Sequence, residues 1–201
     1  LEIFKSLSTQ GIHGTLVETI DHTITGAGSR LLKNWLRRPL IDPGKINERL
    51  DRINECINAP EMLKVIQSTL KETSDLERII ARVASGKANP RDVINAGNTL
   101  ARIPVLKKAV KKGSSVLRQL VNQFEDTAKI TKSILRIIQE DPPATTNNGG
   151  YICNGVSSKL DKLRNLSSDA SKWMADMQAQ ERENNNIPSL KVGYIGDLDI
   201  I

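Results

Sequence analysis

Few residues in this chain have the types and spacing that catalysis or nucleotide binding requires. Gly86-Lys87 could end a phosphate-binding loop, whose backbone N–H groups surround the phosphates of a nucleotide. That loop also needs glycine at position 81 and serine or threonine at position 88, and alanine stands at both. Gly26-Ala27-Gly28 is only half of a dinucleotide-binding motif, because Leu31 occupies the third glycine position. We therefore predict no cofactor-binding residues in this chain.

Histidine and cysteine do not form a reactive cluster in the sequence. His13 and His22 are the only histidines, and neither has a cysteine or carboxylate at a metal-ligand spacing. Cys56 and Cys153 form no Cys-x-x-Cys motif, which favours a reducing compartment over a disulfide framework. We predict no catalytic and no metal-binding residues.

The chain is moderately basic, with 29 Lys and Arg against 23 Asp and Glu and a formal net charge of +6. This excess suits a polyanionic partner but does not alone indicate nucleic-acid binding. The basic groups occur at Arg37-Arg38, at 107–112 and at 159–164, and solvated helix faces are their first interpretation. No aromatic residues alternate with them to stack on bases, so any DNA contact should be made to phosphates.

Composition predicts an all-α fold. Aromatic residues make up 3% of the chain, and the apolar residues are mainly Leu, Ile, Val and Ala at helical intervals. No apolar run approaches the roughly 20 residues of a membrane-spanning helix, so no membrane contact is expected. No signal peptide is recognisable. We expect an intracellular protein, located in the cytoplasm and nucleoid or, in a eukaryote, in the nucleus.

Helix boundaries are marked most closely between residues 75 and 92. Ser74 and Glu77 have the spacing of a capping box, which predicts a helix start. Gly86 can adopt the left-handed conformation that ends a helix. Asn89-Pro90 then supplies the next N-cap and a proline at the first helical position. The stretch should be a short helix, a tight corner and a new helix.

Similar boundaries predict a compact helical body over residues 1–112. Thr23 or Thr25 would cap a helix from about residue 26 to residue 37, and Asp42-Pro43 would begin the next. The first of these helices should bury one apolar face: Leu31, Leu32, Trp35 and Leu36. The second repeats apolar residues at steps of four and three: Ile46, Leu50, Ile53 and Ile57.

The second half of the chain predicts two long helices that act as arms over residues 113–187. Positions 117–138 and 156–177 each follow a heptad in which six of seven core positions are apolar. A helix through residues 114–140, which include no proline or glycine, and a second of similar length would reach roughly 40 Å each. Near the C-terminal end, Leu190, Val192 and Tyr194 alternate with other residues in the period of a short strand.

Three blocks of residues, taken in order, resemble the core of the MutS family of ATP-driven DNA mismatch repair proteins. The blocks are Asp21 to Arg49, Asp75 to Asp92, and a scattered set between Glu140 and Tyr194. The residues that carry the family's structural motifs are Gly28, Arg30, Leu31, Leu32, Trp35, Pro39, Asp75, Leu76, Arg78, Asn89, Pro90 and Arg91.

The resemblance implies a position inside a larger machine. This segment would be a non-catalytic core and lever that couples ATP state to a clamp closing on mismatched duplex DNA. ATP and Mg²⁺ would bind elsewhere in the parent protein, which would pair with a homodimeric or heterodimeric partner of the same family. Residues 188–201 would be the truncated start of the clamp, with Lys191 near a DNA phosphate.

Some features of MutS-like proteins are missing from this sequence. The mismatch-reading Phe-x-Glu motif is absent, since Phe4 precedes Lys5-Ser6 and Phe124 directly precedes Glu125. The nucleotide loop is absent too, and the residues after Tyr194 depart from the family pattern. Two alternatives therefore stay open. One is a helical interaction scaffold that keeps the fold without repair activity, and the other is a paralogue that binds recombination junctions.

Overall fold

The computed structural model describes residues 2–8, 11–111, 115–147 and 149–191. Within these ranges the protein has ten α-helices, and its only β-pairing is an isolated antiparallel bridge between Ile138 and Ile152. The helices are α1 (Leu16–Ile20), α2 (Gly26–Arg37), α3 (Pro43–Asn58), α4 (Pro60–Lys71), α5 (Leu76–Ala84), α6 (Pro90–Ala101), α7 (Ile103–Lys111), α8 (Ser115–Asn122), α9 (Ala128–Ile137) and α10 (Ser158–Asn184). The prediction of an all-α fold is confirmed.

The predicted C-terminal strand is not formed where the structure describes it. Leu190 and Lys191 belong to no strand. Val192 and Tyr194, the other residues of the predicted alternation, lie outside the described residues. The backbone N–H of Leu190 instead donates to Ile187 O at 3.1 Å, which closes a turn after α10.

Polar side chains begin several helices at the positions that the sequence predicts. Thr25 and Asp42 accept backbone N–H groups from the first turns of α2 and α3 at 3.0 and 2.8 Å. Asn89 and Asp92 form a reciprocal capping box at the start of α6, with hydrogen bonds of 2.8 and 2.9 Å. Each such bond satisfies a backbone donor that has no partner inside the helix.

The chain divides into two compact units, Leu1–Ile152 and Cys153–Ile201. In the first unit α6 packs most extensively on α9, α7 packs on α4, α6 and α8, α3 packs on α4 and α8, and α5 packs on α6. In the second unit α10 is the one helix that the described residues form. The division into a body at 1–112, arms at 113–187 and a further domain from 188 stays a prediction.

The first predicted arm is wrong. The structure has two short helices, α8 and α9, where the heptad predicts one continuous helix through residues 114–140. Asp126 accepts the backbone N–H of Ala128 at 2.8 Å, and Lys107 Nζ donates to Phe124 O at 2.7 Å. Because these contacts satisfy backbone groups that a helix would pair internally, the chain turns between α8 and α9 without proline or glycine.

The second predicted arm is present. Helix α10 has 27 residues, which corresponds to a length of about 40 Å. Ser157 caps its start by accepting the N–H of Leu160 at 3.4 Å. Two of its heptad residues, Leu163 and Met177, are 55% and 39% exposed. The apolar stripe of α10 is thus partly exposed in the described chain.

The apolar core of the first unit is small. Its buried apolar residues are Val17, Ile79, Ile94, Val110, Leu117 and Val121. The predicted burial of the α2 face is wrong for Leu31 and Trp35, which are 51% and 38% exposed. The stripe of α3 is exposed as well, with Leu50 at 54%. The reason is that α2 has no extensive helix partner in the described chain. Helix α3 packs with another side, where Glu55 accepts the backbone N–H of Leu117 and Cys56 contacts the core.

Gly97 permits the close crossing of α6 and α9. A Cβ atom added at Gly97 would stand 2.6 Å from Ile134 Cγ2 and 3.3 Å from Leu135 Cδ2. The neighbouring residues Ile94 and Thr131 are 4% and 8% exposed, so the contact lies in the interior. Helix α9 therefore owes its position on α6 to the missing side chain at Gly97.

Replacing Gly97 by alanine should destabilise the protein by about 1–3 kcal/mol, because the added methyl group overlaps Ile134. Alanine has a higher helix propensity than glycine, so propensity alone would predict that the substitution stabilises the protein. Urea unfolding followed by circular dichroism measures the change, with Asn98→Ala on the exposed side of α6 as the control. In an Ile134→Ala background, Gly97→Ala should lower the free energy of unfolding by a smaller amount, because the overlapping side chain is gone. An equally large loss in that background would show that overlap with Ile134 is not the cause.

Candidate functional site

The start of α5 depends on Asp75. This residue is the N-cap, and its Oδ1 accepts from the backbone N–H of Arg78 at 3.3 Å. The predicted capping box between Ser74 and Glu77 is wrong. The backbone N–H of Ser74 donates to Thr99 Oγ1 at 2.9 Å, and Glu77 binds a residue of α2. Ser74 and Glu77 therefore bind residues that are distant in sequence, Thr99 and Arg30, instead of capping the helix together.

Arg30 of α2 joins two carboxylates at the start of α5. Its Nη1 and Nη2 donate to Asp75 Oδ2 and Oδ1 at 2.7 and 2.8 Å, which is bidentate geometry. Its Nε donates to Glu77 Oε2 at 2.9 Å, and Nη2 contacts the same oxygen. The Asp75 side chain is 21% exposed and that of Arg30 36%. We call Arg30, Asp75 and Glu77 the polar joint.

Asp75 also lies beside the N-terminus of α2. A Cβ atom added at Gly26, the first residue of α2, would stand 3.2 Å from Asp75 Oδ2. The carboxylate is favoured there because the first turn of a helix carries partial positive charge. Hydrogen bonds from Arg30, together with the backbone N–H of Arg78, lower the pKa of Asp75 to about 2. The hydrogen bonds of Arg30 to Asp75 and then to Glu77 raise the pKa of the guanidinium above its ordinary value.

A second arginine closes the corner between α5 and α6. Gly86 has a φ of +68°, the left-handed conformation that the sequence predicts. Arg82 Nε donates to Asp92 Oδ2 at 2.8 Å, and its Nη2 donates to Lys87 O at 3.0 Å. The backbone N–H of Asn89 and then Arg82 lower the pKa of Asp92. The corner is therefore held by side chains on both of its sides.

A third arginine attaches the segment after α9 to the start of α6. Arg91 Nε donates to Pro142 O at 2.9 Å. Pro142 is among the fully buried residues of the chain. Asp141 lies 3.8 Å from Arg91 Nη2 but is 94% exposed, so this ion pair contributes little. The buried carbonyl is the contact that positions Arg91.

The structure groups the predicted motif residues into two clusters. Arg30, Asp75 and Arg78 meet at the polar joint, next to Leu76. Asn89-Pro90-Arg91 begins α6 at the corner with α5. The other motif residues of α2 and of the segment after it do not take part in either cluster: Gly28, Leu31, Leu32, Trp35 and Pro39. Lys191 belongs to the second unit and is exposed.

Sequence reasoning did not identify three contacts. The sequence pattern predicts Glu77 as a helix-capping residue and gives no indication that it pairs with Arg30, 47 positions away. Arg82 reads as one more charge on the exposed face of α5. The guanidinium of Arg49 stacks over the Trp35 ring at 3.8 Å from its centroid, although the two residues lie on different helices. A single sequence has no signal for such distant pairs.

The polar joint and the corner are suited to positioning helices. Arg30 engages both carboxylates of the joint, so neither is free to act as a general base. Among the described residues no group of three or more His, Cys, Asp or Glu could hold a metal ion. No helix of the described ranges is long and apolar enough to cross a membrane.

Replacing Arg30 by glutamine should lower the free energy of unfolding, because two carboxylates at the start of α5 would lose their shared partner. The measurement is urea unfolding at neutral pH and moderate salt. The control is Arg38→Gln, because Arg38 has no carboxylate partner among the described residues. A loss no larger than that of the control would show that the polar joint does not support the fold.

The effect of Arg30→Gln should also depend on pH. Asp75 has a pKa of about 2 in the folded chain, lowered from the ordinary 3.8. Its ion pair with Arg30 therefore stabilises the fold fully at pH values above 3.8, and this stabilisation is lost as the pH falls through 2. The stability difference between wild type and variant should therefore be largest above pH 4 and shrink toward pH 2. Urea titrations between pH 2 and pH 6 measure it. A constant difference would contradict the assignment to Asp75.

Known proteins match this chain along nearly its whole length. The domain family described as MutS domain III matches residues 1–191. The DNA mismatch repair protein MutS of Desulforamulus reducens is 40% identical over 195 residues, which are 96% of this chain and 22% of that relative. The proteins of the same name from Methanosarcina mazei and Salinibacter ruber are each 36% identical, with the same coverage.

The matched region includes the ten helices described above, the polar joint and the corner between α5 and α6. The chain spans 22% of the length of these curated relatives. Both the domain match and the relatives' identities agree with the three blocks of motif residues. The chain therefore belongs to the MutS family of DNA mismatch repair proteins, in which it corresponds to domain III.

Proposed function

We propose that this chain is a non-catalytic core and lever that couples the ATP state of a MutS-type mismatch repair protein to clamping on mismatched duplex DNA. The observation that carries the proposal is the match to MutS domain III over residues 1–191. The relatives named above are described as DNA mismatch repair proteins, which supports repair over the recombination-junction alternative.

The contacts within the first unit support a mechanical role. A lever transmits a displacement only if its parts do not yield, and close-packed contacts have few soft degrees of freedom. Gly97 lets α6 and α9 pack at close range. The polar joint and Arg82 fix both ends of α5. A displacement applied to α2 would thus pass through Arg30 to α5 and on to α6.

Helix α10 is suited to carry a displacement over distance. It has 27 residues, and a helix of this length is about 40 Å long. Its described residues include no proline and no glycine, the residues that most often kink a helix. In this proposal α10 is the lever, and exposed Lys191 beyond its end is a DNA phosphate contact.

In this proposal ATP and Mg²⁺ bind to another part of the longer protein. The residues of this chain do not fit them, because Ala81 and Ala88 replace two required residues of the phosphate-binding loop. The segment itself would hydrolyse no ATP. Duplex DNA and a second subunit of the same family would be bound through the longer protein as well.

A hybrid protein tests the lever. Residues 1–191 of this chain would replace the matching region of Desulforamulus reducens MutS, and ATP hydrolysis would be measured with and without mismatched duplex DNA. Ala170→Pro, at an exposed site inside α10, breaks the helix at a cost of about 3 kcal/mol or more. It should leave basal hydrolysis intact and abolish the response to the mismatch.

Ala170→Ser is the matched control and should respond like the unmodified hybrid, because serine preserves the helix. A proline variant that responds as fully as this control would refute the lever role of α10. A hybrid that hydrolyses ATP but shows no mismatch response even with Ala170 in place would contradict the proposed function of the whole chain.

A further inference from the structure

An Asn-Gly pair precedes α10 in the second unit. Asn154 and Gly155 lie in a turn and are both exposed. Gly155 has a φ of +79°, and a Cβ atom added there would meet nothing within 4 Å beyond its chain neighbours. Because glycine has no side chain to block the approach, its backbone nitrogen can reach the side-chain carbonyl carbon of a preceding asparagine. The turn therefore places a nitrogen nucleophile next to a carbonyl electrophile.

Two side chains from the first turns of α10 bind the groups that would react. Asp161 Oδ2 accepts the backbone N–H of Gly155 at 2.9 Å. Arg164 Nη1 donates to Asn154 Oδ1 at 2.8 Å. Asp161 and Arg164 are three positions apart, so they share one face of the helix. We call Asn154, Gly155, Asp161 and Arg164 the Asn-Gly site.

The carboxylate of the Asn-Gly site differs from those of the polar joint. The Asp161 side chain is 29% exposed, and its Oδ1 is buried without a hydrogen-bond partner. Arg164 Nη1 lies 3.9 Å from that oxygen, which is too far for a hydrogen bond. Asp75, in contrast, is held by two hydrogen bonds from Arg30. Asp161 is therefore placed to accept a proton from Gly155.

We propose that the Asn-Gly site converts Asn154 into a succinimide and then, by hydrolysis, into aspartate or isoaspartate. The Gly155 nitrogen attacks Asn154 Cγ while Asp161 Oδ2 takes the proton from that nitrogen. The carbonyl electron pair moves onto Asn154 Oδ1, where the guanidinium of Arg164 stabilises the negative charge. As the carbonyl re-forms, Nδ2 leaves as ammonia with the proton that Asp161 held. Water then opens the five-membered ring.

The conversion changes the contacts that begin α10. An aspartate at position 154 places a carboxylate against Arg164, which turns a hydrogen bond into an ion pair. An isoaspartate adds a carbon atom to the backbone before Gly155 and displaces its N–H from Asp161. This inference does not depend on the proposed function, because it concerns only the chemistry of residues in the second unit.

A second Asn-Gly pair in the sequence, Asn148-Gly149, provides an internal reference. The backbone N–H of Gly149 donates to Thr146 O at 3.2 Å. A neutral backbone carbonyl is a far weaker proton acceptor than a carboxylate. The two pairs have the same covalent structure, so a difference between their rates of conversion reports the difference between their surroundings.

Peptide mapping tests the proposal. The 201-residue chain is incubated at neutral pH and digested with trypsin, which releases both Asn-Gly pairs in one peptide, residues 137–159. Mass spectrometry of its fragments assigns conversion to Asn148 or Asn154. Asn154 should convert at least about tenfold faster, since a positioned base typically contributes 10²–10⁴-fold. In chain unfolded by urea, Asn154 should slow to the rate of Asn148.

Variants of the two α10 residues identify the groups responsible. Asp161→Asn and Arg164→Gln should each slow the conversion of Asn154 about tenfold or more and leave Asn148 unchanged. The control is Asp169→Asn, the same substitution at an exposed position of α10, and it should alter neither rate. Circular dichroism establishes whether each variant keeps its helices.

Three results would overturn the proposal. The first is equal conversion of Asn154 and Asn148 in the folded chain. The second is a rate at Asn154 that Asp161→Asn leaves unchanged. The third is faster conversion in Asp161→Asn, which would show that the hydrogen bonds protect Asn154 instead of activating it. The comparison of folded and urea-unfolded chain needs no variant, so it decides the question even where a substitution disrupts the fold.

Discussion

The position of α2 depends on one carboxylate. Asp75 caps α5, accepts two hydrogen bonds from Arg30 and lies against Gly26 at the start of α2. No side chain of helix α2 is fully buried, and Leu32 and Leu36 are only half-buried, so polar contacts add to apolar packing in its placement. A bidentate arginine restricts orientation as well as distance, which a flexible lysine would not do. The polar joint therefore supplies the geometry that apolar packing supplies elsewhere in the first unit.

The first unit combines this directional contact with close steric packing. Gly97 brings α9 onto α6, and Arg82 with Asp92 closes the corner between α5 and α6. Helices α2, α5, α6 and α9 are thus tied in that order by contacts with little freedom. Such a series is consistent with a segment that transmits displacement and does no chemistry. The exposed faces of α2 and α3 differ from it, because several of their apolar residues are more than a third exposed in the described chain.

Helix starts could be predicted from the sequence because capping is local. Thr25, Asp42 and Asn89 act through backbone groups two or three residues away, and Gly86 needs only its own freedom at positive φ. The heptad over residues 114–140 predicted one long helix wrongly, because the spacing of apolar residues gives no information about contacts with residues distant in sequence. Lys107 binds a carbonyl in the interruption between α8 and α9, and no pattern within that stretch reveals it.

The amino-acid sequence by itself determined the helical class, the starts of α2, α3 and α6, the length of α10 and the MutS resemblance. All of these follow from composition, short-range capping and motif order. Tertiary structure alone decided that Glu77 binds Arg30 instead of capping α5, and that the apolar faces of α2 and α3 stay exposed. The physical reason is that a side chain's partner and its burial depend on which distant segments reach it in space, and periodicity along one helix does not specify them.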